Sequence, residues 1–179
     1  MPKLIIAPPN YGLYIQCSSA FGDVLREYSP LVEQYSIDEY FLDYTGMEKV
    51  FGDPISAAYR IKDQIREQLG FTVNVGVSNN KLLAKMASEL KKPDMLHTIF
   101  PEEIPSKMWP LPVEELFGVG RATSPKLRDR GIKTIGDLAN ADPNLLKLFL
   151  KSYGTPLWNF AMAETSLLFG KTDVSLLRG

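Results

Sequence analysis

Between Leu111 and Ile132 the sequence reads LPVEELFGVGRATSPKLRDRGI. A short segment with apolar spacing leads into Gly118-Val119-Gly120, and a second such segment follows. Glycine allows the backbone to turn tightly and to approach a phosphate closely, and backbone amides at the start of a helix attract anions. The stretch therefore predicts a helix-hairpin-helix that binds nucleic-acid backbone without reading its sequence. The alternative is a glycine-rich turn between two packed helices.

Charge is segregated along the chain, although the formal net charge is only −1. Residues 23–53 contain eight acids and two bases, whereas residues 81–92 contain four lysines and one acid. The positive charges near the glycine turn are Arg121, Lys126, Arg128, Arg130 and Lys133, against the single acid Asp129. An acidic segment followed by two basic segments suggests a carboxylate site that works beside an anionic partner. Solvated helix faces are the alternative explanation.

Composition excludes several classes of protein. The 179 residues are 45% hydrophobic, which excludes a disordered chain. One cysteine, Cys17, and one histidine, His97, exclude a disulfide framework and a Cys/His zinc cluster. The uncharged stretch from residue 4 to residue 22 contains prolines and polar residues, so it predicts neither a membrane span nor a signal peptide. We expect a cytosolic globular protein.

Residue spacing predicts an α+β fold with helices on one face of a mostly antiparallel sheet. Asp53 is the expected N-cap of one helix, and Gly70 is its expected stop. The predicted helices are Ser18–Tyr28, Pro54–Leu69, Asn79–Lys91 and Glu102–Met108, and the predicted strands are a hairpin within Leu31–Tyr44, then Phe71–Val77 and His97–Phe100. Prolines cluster around Trp109 and an all-helical region follows them. We therefore expect a domain of residues 1–110 and a second of residues 111–179.

Two adjacent acids, Asp38 and Glu39, stand in an apolar frame of Ile37 and residues 40–42. Neighbouring side chains in a regular strand point to opposite faces, so the two acids converge only if the chain turns there. Two carboxylates about 4 Å apart repel by about 4 kcal/mol at an effective dielectric of about 20. A divalent cation such as Mg²⁺, which prefers hard oxygen ligands, removes that repulsion. The alternative is an ordinary exposed Asp-Glu pair.

Residues 75–93 predict a strand, a polar turn and a helix. Free backbone amides in the first turn of such a helix suit a phosphate. Lys81 and Lys85 are four residues apart and share a face, and Lys92 stands where the helix must stop before Pro93. Lysines on an exposed helix are also commonly just solvated.

Taken in order, these segments resemble the Y-family (translesion) DNA polymerases, especially the UmuC-like branch (ImpB/MucB/SamB). The motif from Ser36 to Glu39 is similar to that family's second catalytic carboxylate motif. The family's Ser-Asn-Lys signature is similar to the stretch from Val77 to Lys81. Its Ala-Lys and Lys-Pro signatures are similar to Ala84-Lys85 and Lys92-Pro93. The glycine hairpin is similar to its thumb, and the resemblance spans about residues 28–140.

The resemblance implies a partial ferredoxin-like palm followed by a small helix-hairpin-helix thumb. Asp38 and Glu39 would be catalytic and would hold Mg²⁺ in a two-metal site, and Lys92 would contact the triphosphate of the incoming nucleotide. The implied DNA-binding residues are Lys81, Lys85, Gly118, Val119, Gly120, Arg121, Ser124 and Lys126.

The same resemblance implies an error-prone, DNA-directed DNA polymerase in lesion bypass, DNA repair and the SOS response. Its substrates would be primer–template DNA and deoxynucleoside triphosphates. A sliding clamp would be a partner through the parent protein, and no membrane would be involved. The expected location is the bacterial cytoplasm, on the nucleoid when the protein is bound to DNA.

Three departures from the family pattern matter. The family's N-terminal Asp-x-Asp-Phe motif is missing, since Asp23 is the first acid, and so is its C-terminal DNA-grasping domain. Ser124-Pro125 stands where the thumb helix usually has alanine and no proline, and a later helix start is expected. These departures predict a palm–thumb fragment that does not extend primers by itself.

Two other classes of protein remain open. A non-catalytic helix-hairpin-helix module would bind DNA without binding nucleotides. A nucleotide cyclase-like domain would share paired acids and a similar sheet, but the basic hairpin after residue 117 argues against it.

Overall fold

The computed structural model describes Leu4 and residues 7–164. The part of the predicted helical tail that follows residue 164 lies outside the described residues. The helices are α1 (Tyr11–Arg26), α2 (Glu48–Phe51), α3 (Pro54–Leu69), α4 (Lys81–Glu89), α5 (Ser124–Arg128), α6 (Ile135–Ala139), α7 (Pro143–Leu150) and α8 (Gly154–Ala161). The strands are β1 (Val32–Gln34), β2 (Tyr40–Leu42), β3 (Val75–Val77) and β4 (Leu96–Thr98). The remaining elements are short 3-10 turns at Pro101–Glu103, Val113–Glu115 and Lys151–Tyr153 and a π-helical turn at Ile104–Met108.

Packing divides the chain into two compact units, Met1–Thr72 and Val73–Gly179. In the first unit, α1 packs against α3, and the buried face of α3 carries Ala57, Ala58, Ile61 and Ile65. The Tyr28 hydroxyl donates a hydrogen bond to Gln64 Oε1 of α3 at 2.7 Å. The apolar face of the amphipathic helix α3 thus supplies most of the buried side chains in the small core of this unit.

Helix α3 was predicted with its boundaries, and the structure confirms them. Asp53 accepts hydrogen bonds from the backbone N–H groups of Ile55 (3.1 Å) and Ser56 (2.9 Å). Gly70 ends the helix in the left-handed conformation, with φ of +75°. These are the cap and stop that the sequence indicates.

Helix α1 begins at Tyr11, seven residues before the predicted start at Ser18. Asn10 is its N-cap and accepts a hydrogen bond from the N–H of Leu13 at 3.1 Å. The first turns are apolar yet exposed: Leu13 is 50% exposed and Ile15 is 62% exposed. A helix without a polar face opposite an apolar face gives no amphipathic signal, which explains the wrong prediction.

The described strands form two separate pairs and not the single, mostly antiparallel sheet that was predicted. Strands β1 and β2 are antiparallel, with Val32 opposite Leu42. Strands β3 and β4 are parallel, with Val75 opposite Leu96, and α4 is the crossover between them. Strands β3 and β4 have three residues each and are shorter than the predicted strands Phe71–Val77 and His97–Phe100. The α+β class itself is confirmed.

One hydrophobic core runs through the second unit. It extends from Leu82 and Met86 in α4, through Met108, to Leu138 in α6 and Leu157 in α8, all at most 2% exposed. This core includes residues on both sides of position 110. The division at 110 therefore stays a prediction about which residues act as palm and thumb, whereas the compact units meet between residues 72 and 73.

Beyond residue 110 the described chain is helical, as predicted, apart from one isolated bridge between Pro112 and Thr134. None of the described helices is long and apolar enough to cross a membrane.

Candidate functional site

The two adjacent acids lie at a tight turn, as their proposed convergence requires. The backbone N–H groups of Tyr35 (2.9 Å) and Ser36 (3.1 Å) both donate to the carbonyl of Glu39. This closes a turn over residues 36–38 between β1 and β2. The Ser36 hydroxyl donates to Asp38 Oδ1 at 2.8 Å, so one acid is oriented by its own motif. Asp38 is exposed and Glu39 is half-buried.

Aromatic side chains fix the strands on either side of this turn. The rings of Tyr35 and Phe41 meet edge to face, with centroids 5.7 Å apart, across the hairpin. The Tyr40 hydroxyl donates to the carbonyl of Ser18 in α1 at 2.9 Å. The residue that follows Glu39 is therefore anchored to a helix, and the acids project from a braced hairpin and not from a loose loop.

The donor set at this turn suits a hard divalent cation but is small. Asp38 and Glu39 offer carboxylate oxygens, the ligands that Mg²⁺ prefers. Within the described residues, no cluster of three or more His, Cys, Asp or Glu side chains could hold a metal ion. The two acids thus fit part of a metal site.

The Ser-Asn-Asn-Lys stretch folds as a strand, a turn and a helix, as predicted. Asn80 caps α4 and accepts a hydrogen bond from the N–H of Leu83 at 2.9 Å. The Ser78 hydroxyl donates to the carbonyl of Ile99 at 2.5 Å and ties the turn to the chain after β4. Lys81 is the first residue of α4. The serine and one asparagine of this stretch therefore have structural roles.

Glu89 connects two of the predicted binding lysines. Its carboxylate receives Lys92 Nζ at 2.6 Å and Lys85 Nζ at 3.1 Å. Burial raises the pKa of Glu89, but the hydrogen bonds from these two lysines outweigh burial, so the pKa lies below its usual value. Sequence reasoning missed Glu89, although its spacing of three and four residues from the lysines was a usable signal.

The glycine hairpin forms as predicted. The N–H of Val119 donates to the carbonyl of Leu116 at 2.9 Å, and Gly118 has φ of +94°, which favours glycine. The N–H groups of Thr123 and Ser124 both donate to the carbonyl of Gly120 at 3.0 Å. Helix α5 then begins with Pro125 as its second residue, a position that proline tolerates.

Three consecutive backbone N–H groups at this hairpin, those of Gly120, Arg121 and Ala122, donate to no acceptor among the described residues. All three residues are exposed. The side chains of Arg121 and Lys126 are likewise without an ion pair or hydrogen bond in the part of the chain that the structure describes. Three unused N–H donors and two unpaired cationic side chains therefore belong to four residues of one short segment, 120–126.

Other predicted charges near the hairpin are engaged within the protein. Arg128 forms a two-pronged ion pair with Glu114, through its Nε and through Nη2 at 2.8 Å from Oε2. The guanidinium of Arg130 lies 4.0 Å from the centre of the Phe149 ring. The sequence assigned both arginines to a general positive field, and the structure shows that each guanidinium also contacts a group within the protein.

Two of the predicted DNA-binding residues use a polar group within the protein. Val119 is 9% exposed, and its N–H is already bonded to Leu116. Ser124 is also 9% exposed, and its hydroxyl donates to Glu114 Oε1 at 3.1 Å. Both residues were assigned from their positions in the motif, and their part in DNA binding stays a prediction.

Comparisons with known proteins agree with this arrangement. Residues 1–89 match the family model described as the impB/mucB/samB family, and residues 101–132 match the IMS family HHH motif. The chain is 48% identical over 164 residues to DNA polymerase IV of Clostridium acetobutylicum, covering 89% of this chain and 40% of that protein. It is 41% identical to DNA polymerase IV 1 of Bacillus subtilis, covering 89% of this chain and 38% of the relative.

Solved structures give the same result. DinB from Sulfolobus solfataricus superposes with a TM-score of 0.81 at 31% identity, over 92% of this chain and 49% of the other. An insertion ternary complex of Dbh DNA polymerase superposes with a TM-score of 0.79 at 31% identity, over 90% of this chain and 48% of the other. The chain thus spans about 40% of the length of the curated relatives it matches. The chain belongs to the impB/mucB/samB family, the Y-family of DNA polymerases, and spans the palm and thumb region of that family.

Proposed function

We propose that this chain is the palm and thumb part of an error-prone DNA polymerase that extends primers past template lesions. The observation that carries the proposal is the closed turn over residues 36–38, which presents Asp38 and Glu39 from a braced hairpin. The proposed substrates are primer–template DNA and deoxynucleoside triphosphates. Action in the SOS response, a sliding-clamp partner, and a cytoplasmic, nucleoid-associated location belong to the same proposal.

The proposed roles of the polar side chains follow from their charge. Asp38 and Glu39 would hold Mg²⁺, which when bound supplies charge neutralisation at the reacting phosphate oxygens. Lys92 would contact the triphosphate, and its pairing with Glu89 keeps it beside the end of α4 until an anion competes for it. Lys81 and Lys85, on the same helix, would support the DNA or the palm. Their common contribution is the placement of anionic substrates.

We assign duplex binding to the hairpin. The unused N–H groups of Gly120, Arg121 and Ala122 suit a backbone phosphate, and the side chains of Arg121 and Lys126 add positive charge beside them. Gly118 shapes the turn, and Val119 and Ser124 hold it to the protein. Such binding does not depend on base sequence, and its affinity falls with salt by about 0.9 in log K per log salt for each phosphate contacted.

Nucleotide binding tests the catalytic part of the proposal. A fluorescent deoxynucleoside triphosphate should bind the chain only with Mg²⁺ present, and Asp38→Ala should abolish that binding. Asp23→Ala is the matched control, because it removes one exposed acid whose partner is Arg26 on the same helix. Binding that persists without Mg²⁺, or that Asp38→Ala leaves unchanged, would contradict the proposal.

The non-catalytic DNA-binding module remains the second candidate, and the unused amides of the hairpin favour it. Duplex binding measured by fluorescence anisotropy should be lost in Gly120→Asp, which places a negative charge where we propose a phosphate. Duplex binding together with no Mg²⁺-dependent nucleotide binding would select this second candidate.

A further inference from the structure

A tyrosine far along the chain contacts the carbonyl side of the glycine hairpin. Tyr153 lies at the end of the 3-10 turn between α7 and α8, 35 residues after Gly118. Its hydroxyl donates a hydrogen bond to the carbonyl oxygen of Gly118 at 2.7 Å. Burial raises the pKa of this phenol, so the hydroxyl keeps its proton and remains a donor at neutral pH.

This hydrogen bond completes the fixation of one peptide group. The peptide that joins Gly118 to Val119 has its carbonyl held by Tyr153 and its N–H held by the carbonyl of Leu116, at 2.9 Å. Because a peptide group is planar, holding it at both ends fixes its plane. The next peptide carries the N–H of Gly120, the first of the three unused donors.

The space around Gly118 shows that the contact is close. A Cβ at this position would lie 2.9 Å from the Tyr153 hydroxyl oxygen and 3.4 Å from Leu157 Cδ2. Leu157 is fully buried in the core of its unit. The hairpin therefore lies directly on Tyr153 and α8, and the hydroxyl is the polar group of that surface.

We propose that Tyr153 is a positioning residue for phosphate binding, acting through the Gly118 carbonyl on the orientation of the amides that follow. The inference rests on the proposed binding of duplex DNA by the hairpin. Tyr153 would not touch DNA itself. Without the hydroxyl, the Gly118–Val119 peptide is held at one end only, and the amides of Gly120 to Ala122 sample orientations that do not meet a phosphate.

The test is duplex binding by the full chain, followed by fluorescence anisotropy over a range of salt concentrations. Removing one hydrogen bond of ordinary strength corresponds to an affinity change of about 2- to 10-fold, so Tyr153→Phe should raise Kd by that factor. If one phosphate contact is lost, the salt slope should become shallower by about 0.9. Tyr59→Phe is the matched control, since it removes the hydroxyl of an exposed tyrosine on α3.

A second variant separates positioning from stability. Trp158→Phe removes the 3.1 Å hydrogen bond from the indole N–H to the carbonyl of Ala139, which lies in the same unit and does not involve the hairpin backbone. The two variants are compared at an equal loss of stability, that is, with equally lowered midpoints of urea unfolding. In that case only Tyr153→Phe should change the salt slope of duplex binding. Equal slopes in both variants would overturn the inference.

The failure of the inference is distinct from the failure of the proposed function. Arg121→Ala removes a side chain that we place at the phosphate, so it should weaken binding whether or not Tyr153 matters. Weaker binding by Arg121→Ala with unchanged Kd and slope for Tyr153→Phe overturns the role of Tyr153 alone. No duplex binding by the unaltered chain overturns both.

Discussion

Glu114 is the acid that holds the start of α5 in place. Its carboxylate accepts hydrogen bonds from the guanidinium of Arg128, fourteen residues further along the chain, and from the hydroxyl of Ser124. The hydrogen bond from Arg128 is the largest cause that lowers the pKa of Glu114 to about 2. Glu114 therefore forms hydrogen bonds with Ser124 and Arg128, two residues that the motif alone would assign to DNA binding.

The lowered pKa predicts how this pair depends on pH. Because Glu114 binds its proton less readily when folded, its contribution to stability is fully present above the ordinary pKa of 4.5 and is lost as the pH falls toward about 2. Carbon-13 NMR of the carboxyl group should give a titration midpoint near 2. Arg128→Gln should move that midpoint up toward the ordinary value, whereas Arg121→Gln should leave it in place. A midpoint of 4.5 in the unaltered chain would contradict the ion pair.

At the level of single residues, the sequence predicts a site best where the chain itself carries the information. The turn at Asp38 and Glu39 could be predicted because the acids and their apolar frame are adjacent in sequence. The bond from Tyr153 to Gly118 could not, because it joins residues 35 positions apart that meet only through helix packing. Glu114 was missed for the same reason.

Strand β3 and helix α4 approach each other at Gly76 more closely than a side chain allows. A Cβ at this position would lie 1.9 Å from the carbonyl oxygen of Ala84 and 2.6 Å from the backbone N of Ser88. Both atoms belong to the helix backbone, which cannot move aside as a flexible side chain would. The glycine therefore sets the distance between the strand and the helix that carries the lysines.

Gly76→Ala should consequently lower the free energy of unfolding by about 3 kcal/mol, the upper end of the usual cost of overpacking. Urea unfolding followed by circular dichroism measures this. Gly12→Ala is the matched control: its Cβ would meet only Asn10 Oδ1 at 3.6 Å, an ordinary contact, so the change should be neutral or slightly stabilising. Unfolding of Gly76→Ala at the midpoint of the unaltered chain would show that the two elements are not packed this closely.

Elements are predictable from sequence when local signals mark their ends. Helix α3 has an N-cap, an amphipathic face and a glycine stop, and its prediction is confirmed from Pro54 to Leu69. Helix α1 has exposed apolar turns and no such face, so its first seven residues were missed. Strand pairing is set by distant partners, and the sequence did not reveal that β3 and β4 are parallel.

For the whole molecule, the order of the motifs predicts the α+β class and the presence of palm and thumb segments. It does not predict the two compact units, which meet between residues 72 and 73. Prolines around Trp109 indicate an irregular connection, and composition alone suggests a boundary there. The structure shows that this connection lies against the core: Met108 is fully buried, as is Val113. A change in composition marks a change of secondary structure, but only burial shows whether the core is interrupted.

The continuous core predicts which fragments of the second unit can fold. Residues 73–164 retain the whole core, whereas residues 111–164 lack Leu82, Leu83 and Met86, each at most 2% exposed. Burying a side chain of this kind contributes about 1.5–3 kcal/mol, so the three together contribute about as much as the total stability of an ordinary domain, about 5–15 kcal/mol. We therefore expect fragment 73–164 to unfold cooperatively in urea and fragment 111–164 to show no cooperative transition.

Point variants of the longer fragment distinguish loss of the core from simple shortening. Leu82→Ala, at a site 1% exposed, should lower the free energy of unfolding by about 2–5 kcal/mol. Leu148→Ala, at a site 80% exposed, should change it by no more than about 0.5 kcal/mol. If fragment 111–164 unfolded as cooperatively as fragment 73–164, the helical region would hold its own core, and the predicted boundary near residue 110 would also be a boundary in packing. Because the buried side chains of α4 belong to the same core as the helices after residue 110, we expect fragment 111–164 to show no cooperative unfolding.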